Sequence, residues 1–212
     1  FRLEVLKKVS GLSEEKLFSA LEEAKKAAII EEQARVGAVS YRFAHAFFRQ
    51  TLYEETIAPR RIRLHQQVAR ALEETYASHL EEHAAELAEH FSHSSESADL
   101  KKAVSYGEMA AKRANDVYAY GEAVRLLDQA LKVQEILDPE DKAKRCDLLL
   151  GLCDALYHAV DTRRIIETEA PAAFALAENL GDDARAARAC QAVIIAHWID
   201  TLALSTPQIA DW

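Results

Sequence analysis

The sequence predicts a predominantly α-helical fold, with one short β-hairpin near the N-terminus and an array of helical hairpins after it. Three observations carry this. Beyond Pro59, apolar residues recur at three- and four-residue spacing in every periodic stretch. The strand-like runs, Ala28-Ile29-Ile30 and Ala38-Val39-Ser40-Tyr41-Arg42-Phe43, lie before that proline and flank a polar segment containing Gly37. From Asp99 onward, helix-length segments repeat at a period of roughly 40 to 45 residues.

In chain order, Leu3 and Leu6 belong to the end of a helix closed by Gly11, and Ser13 caps a second helix with Glu14 and Glu15 in its first turn. Leu17, Ala20, Leu21 and Ala24 give that helix an apolar stripe. The hairpin follows, with strands expected only between about Ala28 and Phe43. Helix, helix, hairpin is the order of a winged helix lacking its first helix. Tyr41 to Phe43 then hand over through His45 to a helix with Phe48 and Leu52 on one face. Pro59 breaks the chain, and Arg60-Arg61-Ile62-Arg63 opens a helix with Leu64, Val68 and Leu72 aligned. Leu80, Ala84, Leu87 and Phe91 mark the next helix, and Ser92 to Ser97 is a loop.

The repeating part begins with a helix carrying Val104, Gly107, Ala110, Ala111 and Ala114. Its partner carries Ala123, Leu127, Ala130 and Leu131 and ends near Asp138-Pro139. Leu149, Leu152, Cys153 and Leu156, then Ile165, Ile166, Ala173 and Leu176, repeat the pattern up to Gly181. Pro171 must kink or split the last of these helices. A third unit starts at Asp183 with the stripe Ala187, Cys190, Ile194 and Trp198, and Thr206-Pro207 reads as a further helix cap. Tyr106, Tyr118, Tyr120, Tyr157 and Trp198 fall within the repeats, and most of them are expected in the core. The expected divisions are residues 1–58, 59–98 and 99–212.

Composition limits the functions available. The 212 residues, 50% hydrophobic and 29% charged, suffice for soluble domains with a core. No apolar run approaches the roughly 20 residues of a membrane span. The formal charge of −9 and the acidic start of the second helix oppose nucleic-acid binding. The N-terminus carries neither an initiator Met nor a signal pattern, so a segment of a longer cytoplasmic protein is expected. Cys146, Cys153 and Cys190 are odd in number with no C-x-x-C, and are read as reduced thiols.

Two constellations carry chemistry. His45, at the start of a helix, joins an imidazole to the free N–H groups there, and both favour an anion; the alternative is a His bonded to a neighbouring backbone carbonyl. His79-Leu80-Glu81-Glu82-His83 matches H-x-x-E-H, a pattern that binds zinc through two His on one helical face with the Glu as base. A third ligand is lacking, since Glu86 and His90 continue the same helix, so no metal site is expected. Nothing matches G-x-x-x-x-G-K-[ST] or G-x-S-x-G, so this chain should neither hold ATP tightly nor hydrolyse it.

The segments Tyr41-Arg42-Phe43-Ala44-His45, Arg61-Ile62-Arg63-Leu64-His65 and His83-Ala84-Ala85-Glu86-Leu87-Ala88-Glu89-His90-Phe91 resemble, in this order, the region after the nucleotide-binding core of STAND-class signalling ATPases. Such cores occur with LuxR-type transcription regulators, nucleotide cyclases and protein kinases. The resemblance covers essentially the whole chain and implies a winged helix followed by a right-handed, tetratricopeptide-like array. It implies ADP or ATP bound by the parent protein, not by this segment, with His45 contacting the phosphates. Ala44 and Ala46 depart from the family's Met-His-Asp. The partners implied are the parent's nucleotide-binding core and, on the array, a protein or small-molecule inducer. The rival expectations are a free-standing interaction scaffold and a zinc hydrolase built on His79, Glu82 and His83.

Overall fold

The computed structural model describes residues 1–35 and 38–204. The expectations for Gly37 and for Thr206-Pro207 lie outside the described residues. The chain is mostly helical, with one two-stranded antiparallel hairpin, and it divides into two compact units. The first comprises Phe1–His83 with His93–Ser95; the second comprises Ala84–Ser92 and the chain from Glu96 onward.

In the first unit, α1 (Leu3–Ser10) ends at Gly11, whose φ of 65° is the left-handed stop that glycine adopts without strain. Helix α2 (Glu14–Lys26) is capped by Ser13, whose hydroxyl accepts from the Lys16 amide. Leu17 and Leu21 are buried and Ala24 is half-buried, but Ala20 faces solvent, so the expected stripe is narrower. Strands β1 (Ile30–Arg35) and β2 (Ala38–Phe43) pair with Ile30 opposite Phe43 and Glu32 opposite Tyr41. Leu17, Leu21, Ile30 and Tyr41 form the small core, flanked by Leu3, Leu6, Val39 and Phe43.

Two details of this region depart from the sequence reading. Ala28 is not in a strand: at φ 52° it closes α2, with the Ile29 amide donating to the Ala24 carbonyl at 2.9 Å and the Ala28 amide to Lys25 at 3.0 Å. The polar run Glu31–Arg35, expected to link the strands, is itself strand. Its charges are matched: Glu31 lies opposite Arg42 and accepts from its Nε at 2.8 Å, and Glu32 pairs with Lys25 of α2. The extended N-terminus also joins the hairpin, because Arg2 forms a bridge to Ser40 and the Tyr41 amide donates to the Phe1 carbonyl at 2.8 Å.

Helix α3 (Ala46–Glu55) precedes α4 (Ala58–Thr75), where Pro59 occupies the first turn and needs no partner for its missing N–H. Ala69, Ala71 and Leu72 are the buried residues of α4; Leu64 is exposed and Val68 half-buried. Helix α1 packs on α4. Arg2 stacks over the Tyr76 ring at 4.8 Å and Tyr76 donates to Glu4 at 3.2 Å.

Helix α5 (Leu80–Ser92) begins in the first unit and continues into the second, with Ala84, Leu87 and Phe91 fully buried. The second unit continues with α6 (Ser97–Asp116), α7 (Tyr120–Leu137), α8 (Lys142–His158), α9 (Thr162–Arg164), a π-helical turn (Ile165–Glu169), α10 (Ala170–Leu180) and α11 (Asp183–Leu204). Helix α6 packs on α7, α7 on α8, α8 on α10, and α10 on α11. Gly107 is needed for one close approach, since a Cβ there would lie 3.2 Å from the Ala130 Cβ; at Gly151 it would meet only a Leu127 methyl at 3.9 Å. The buried residues on these faces are largely Ala and Leu, which permits short interaxial distances.

The π-turn has a cause in Pro171, which has no N–H for an i−4 bond and whose ring would press on the preceding turn. The chain widens before it, with the Ala170 amide reaching Ile165 five residues back. Half-exposed ion pairs also tie helices that are not adjacent in sequence. Lys144 of α8 meets Glu108 of α6 at 2.6 Å; Arg164 binds Asp128 of α7; Arg185 of α11 meets Asp147 of α8 at 2.8 Å.

Two expectations for this unit are corrected. The stripe Ala187, Cys190, Ile194 and Trp198 faces outward, and Ala189 and Ala196 on the other side of α11 are the buried residues. Both faces of that helix are apolar, so periodicity did not separate them. Of the aromatics assigned to the core, only Tyr106 is buried; Tyr120 is half-buried, and Tyr118, Tyr157 and Trp198 are exposed.

Candidate functional site

The sequence rule that places a polar residue before a helix places His45 before α3. Its backbone is extended (φ −139°, ψ 141°), and its Nδ1 accepts from the Phe47 amide at 3.2 Å. The imidazole therefore caps the helix, bonding an N–H rather than a carbonyl. This assignment puts the proton of the neutral ring on Nε2, which leaves Nε2–H as a donor on an exposed side chain. Arg49 sits four residues on, on the same helix face, and pairs with no carboxylate among the described residues.

The helix that His45 opens has no fully buried residue, and only Phe48 and Thr51 are half-buried. No residue of α3 is buried, and Phe47 (63% exposed), Leu52, Tyr53 and Ile57 (69%) stand in solvent. Ten isolated residues fall short of the roughly 12 to 15 needed for a marginally stable helix in water, so a helix of this length ordinarily draws its stability from an apolar face packed on something else. At its C-terminal end Arg61 holds the Tyr53 carbonyl at 3.1 Å and lies over the Tyr53 ring at 5.0 Å.

His65, in a similar sequence context one helix later, is engaged otherwise. Its Nε2 lies 3.3 Å from the Tyr53 hydroxyl, and its ring stacks on His93 at 4.0 Å. A cleft of about 610 Å³ opens between the end of α1 and the start of α4, with Arg60 and Arg63 among its lining residues.

The H-x-x-E-H residues do not converge. His79 precedes α5 instead of lying within it, and its Nδ1 faces the Ser78 hydroxyl at 2.7 Å. His83 is stacked on Tyr76 at 3.9 Å, and the Arg2 guanidinium lies 3.0 Å from its Nδ1. A cation in that position opposes a dication on the same ring. Among the described residues no group of three or more His, Cys, Asp or Glu is arranged to hold a metal.

The thiols are separated by environment. Cys146 is buried and directed at the Ala173 carbonyl, and Cys153 is buried with its pKa pushed up to about 12 by desolvation. Cys190 is exposed and lines an apolar groove of about 420 Å³ between α10 and α11, with Pro171, Phe174 and Val193.

The site that sequence reasoning passed over is a group of rings at one end of the second unit. Tyr120 stacks on His158 at 4.8 Å and 14°, Tyr157 meets His158 edge-on at 5.0 Å, and Tyr118 meets Tyr120 edge-on at 6.1 Å. The available signal was the recurrence of aromatic or His residues beside two equivalent helix ends, Tyr118 and Tyr120 at one and Tyr157 and His158 at the other.

Compared with family models, curated proteins and solved structures, the chain matches none. Among the described residues, no helix is long and apolar enough to cross a membrane.

Proposed function

We infer that this chain is a regulatory and protein-interaction segment of a STAND-like signal-transducing ATPase, with no catalytic role of its own. In this reading the first unit is a partial winged helix that closes over an ADP-loaded core, and the second is a right-handed, tetratricopeptide-like array that takes an inducer or partner. The observation that carries it is α3: a ten-residue helix with no buried residue, with Phe47, Leu52 and Tyr53 exposed, and with His45 as the cap at its start. Such a helix is suited to being covered by another protein body. His45 Nε2–H and the Arg49 guanidinium are cationic or donor groups on one face, fit for a phosphate.

The array part of the reading is supported by the successive packing of α6 to α11 and by ion pairs at separations of 34 to 38 residues, as in Arg188–Asp154 and Arg185–Asp147. Binding of a ligand to the array would shift the closed state only through differential affinity for the two states.

The test separates capping from phosphate contact in the full-length parent. His45→Ala removes both. His45→Asn retains a capping acceptor but is too short to place a donor where Nε2 stands. Loss of a hydrogen bond to a charged acceptor, about 1.5–3 kcal/mol, should speed release of a fluorescent ADP roughly ten- to a hundredfold in both variants. His65→Ala should not. Normal release from His45→Asn would make His45 a helix cap and remove the phosphate contact from this reading.

A further inference from the structure

Helices α6 and α8 end in the same backbone device. After α6 the Ala119 amide donates to the Ala114 carbonyl at 2.8 Å and the Tyr118 amide to Asn115 at 3.0 Å; after α8 the Asp161 amide donates to Leu156 at 3.0 Å and the Val160 amide to Tyr157 at 3.2 Å. This closure requires one left-handed residue, normally glycine. Gly181 fills it after α10, at φ 66°. After α6 and α8 it is filled by Tyr118 and Val160, both at φ 61°. A bulky and a β-branched residue are the side chains least suited to this region. Neither is repaid by burial, for Tyr118 is 79% exposed and Val160 69%.

The stacking of Tyr120 on His158 brings both turns to one end of the unit. The rings of Tyr118, Tyr120, Tyr157 and His158, flanked by exposed Val117 and Val160, form one aromatic surface. Its edges are acidic. Asp116 and Asp161 are exposed beside the two strained residues, and among the described residues the Asp161 carboxylate accepts only the Arg164 amide, as a helix cap. Three of the guanidinium groups near these turns are occupied by carboxylates, Arg125 by Glu122, Arg163 by Glu167, and Arg164 by Asp128 and Glu169, while Arg113, one turn before Asp116, pairs with no carboxylate among the described residues. The rings and the two aspartates offer an incoming group π faces and carboxylates, a combination that attracts a cation.

We propose that this end of the second unit is a docking surface for a linear, arginine- or lysine-bearing segment of a partner protein. The surface supplies ring faces at Tyr118 and Tyr157 for the cationic side chain and Asp116 and Asp161 for its charge. It deepens the partner-binding part of the function proposed above and is independent of the nucleotide part, so the two fail separately.

The test uses the whole chain and a fluorescent peptide, acetyl-Gly-Arg-Gly-Arg-Gly-amide, read by anisotropy, with amide shifts in NMR to locate it. Tyr118→Gly removes one ring, leaves every charge in place and suits the backbone. It should weaken binding about two- to fivefold. Combined with Tyr157→Ser, the loss should reach about four- to twenty-five-fold. The largest shifts should fall at residues 116–120 and 157–161, and the Glu analogue of the peptide should not bind. The proposal is overturned if the peptide does not bind, if the variants bind it as the unmodified chain does, which would mean general attraction to an acidic surface, or if the shifts lie elsewhere.

Discussion

Replacing Ala28 by glycine should stabilise the first unit, against the ordinary expectation that glycine weakens a protein. Ala28 is exposed and holds φ 52°, closing α2 with two hydrogen bonds that position Ile29 and Ile30 for the hairpin. An L-residue in the left-handed region costs about 1–2 kcal/mol. Glycine there removes that cost but raises the entropy lost on folding by about 0.5–1 kcal/mol. Since the exposed methyl contributes almost no buried area, the difference of about 0.5–1 kcal/mol should appear as added stability. A chain of this size should then melt about 1–4 °C higher. Calorimetry, with urea midpoints as a second measure, is the assay. Gly181→Ala, at φ 66° with open space around its Cβ position, is the mirror experiment and should lose a similar amount. If Ala28→Gly lowers the melting temperature, Ala28 does not occupy the left-handed region in solution, and the closure of α2 described above is wrong. Tyr118→Gly obeys the same arithmetic with one more term. The fifth of its surface that is covered is worth about 1 kcal/mol at 25 cal/mol per Å², so relief and loss nearly cancel and the variant should fold normally.

The two helix glycines should respond differently to alanine. Gly151→Ala gains helix propensity at an ordinary contact distance and should stabilise by about 0.5–1 kcal/mol, whereas at Gly107 the 3.2 Å approach to Ala130 should cancel that gain, as paired urea titrations would read. The Arg185 guanidinium holds the Asp147 carboxyl below the usual range, while Asp182 is lowered first by the Arg185 backbone amide and then by its side chain, so Asp147 carries most of what a substitution at Arg185 removes. A carboxyl depressed in the folded state contributes stability above its unfolded value, near 3.9, and loses it as pH falls through the folded value. Arg185→Gln should therefore lower the urea midpoint at pH 7, and its difference from the unmodified chain should narrow as pH drops below about 4.

Much of the backbone plan was legible because its signals are local. Ser13 before two glutamates announced a cap that needs only three residues to form, and Gly11 and Gly181 announced stops. Pro171 announced a break, though the π-turn that absorbs it depended on the neighbouring helices tolerating a wider turn. The buried faces of α6 and α7 followed from spacing, whereas α8 is buried on more sides than its stripe announced, with Cys146, Leu148 and Leu150 covered as well. His45 was legible as the residue opening a helix, but its bond to the Phe47 amide was not, because a ring nitrogen can accept as well as donate.

By itself, then, the sequence determined the order of elements, the Ser13 cap, the glycine stops at Gly11 and Gly181, and the hairpin, all of which rest on hydrogen bonds within a few residues. Tertiary structure alone decided the rest. It turned Glu31–Arg35 into a strand, because the partner backbone and Arg42 stand opposite it. It chose which apolar face of α11 to bury, since Ala189 and Ala196 pack closely where Ile194 and Trp198 would not fit as tightly. It also brought Tyr118 and Tyr120 beside Tyr157 and His158, some 40 residues apart in sequence and on different helices. Periodicity within a helix carries no record of which turns meet, because that is fixed by how the helices pack on one another.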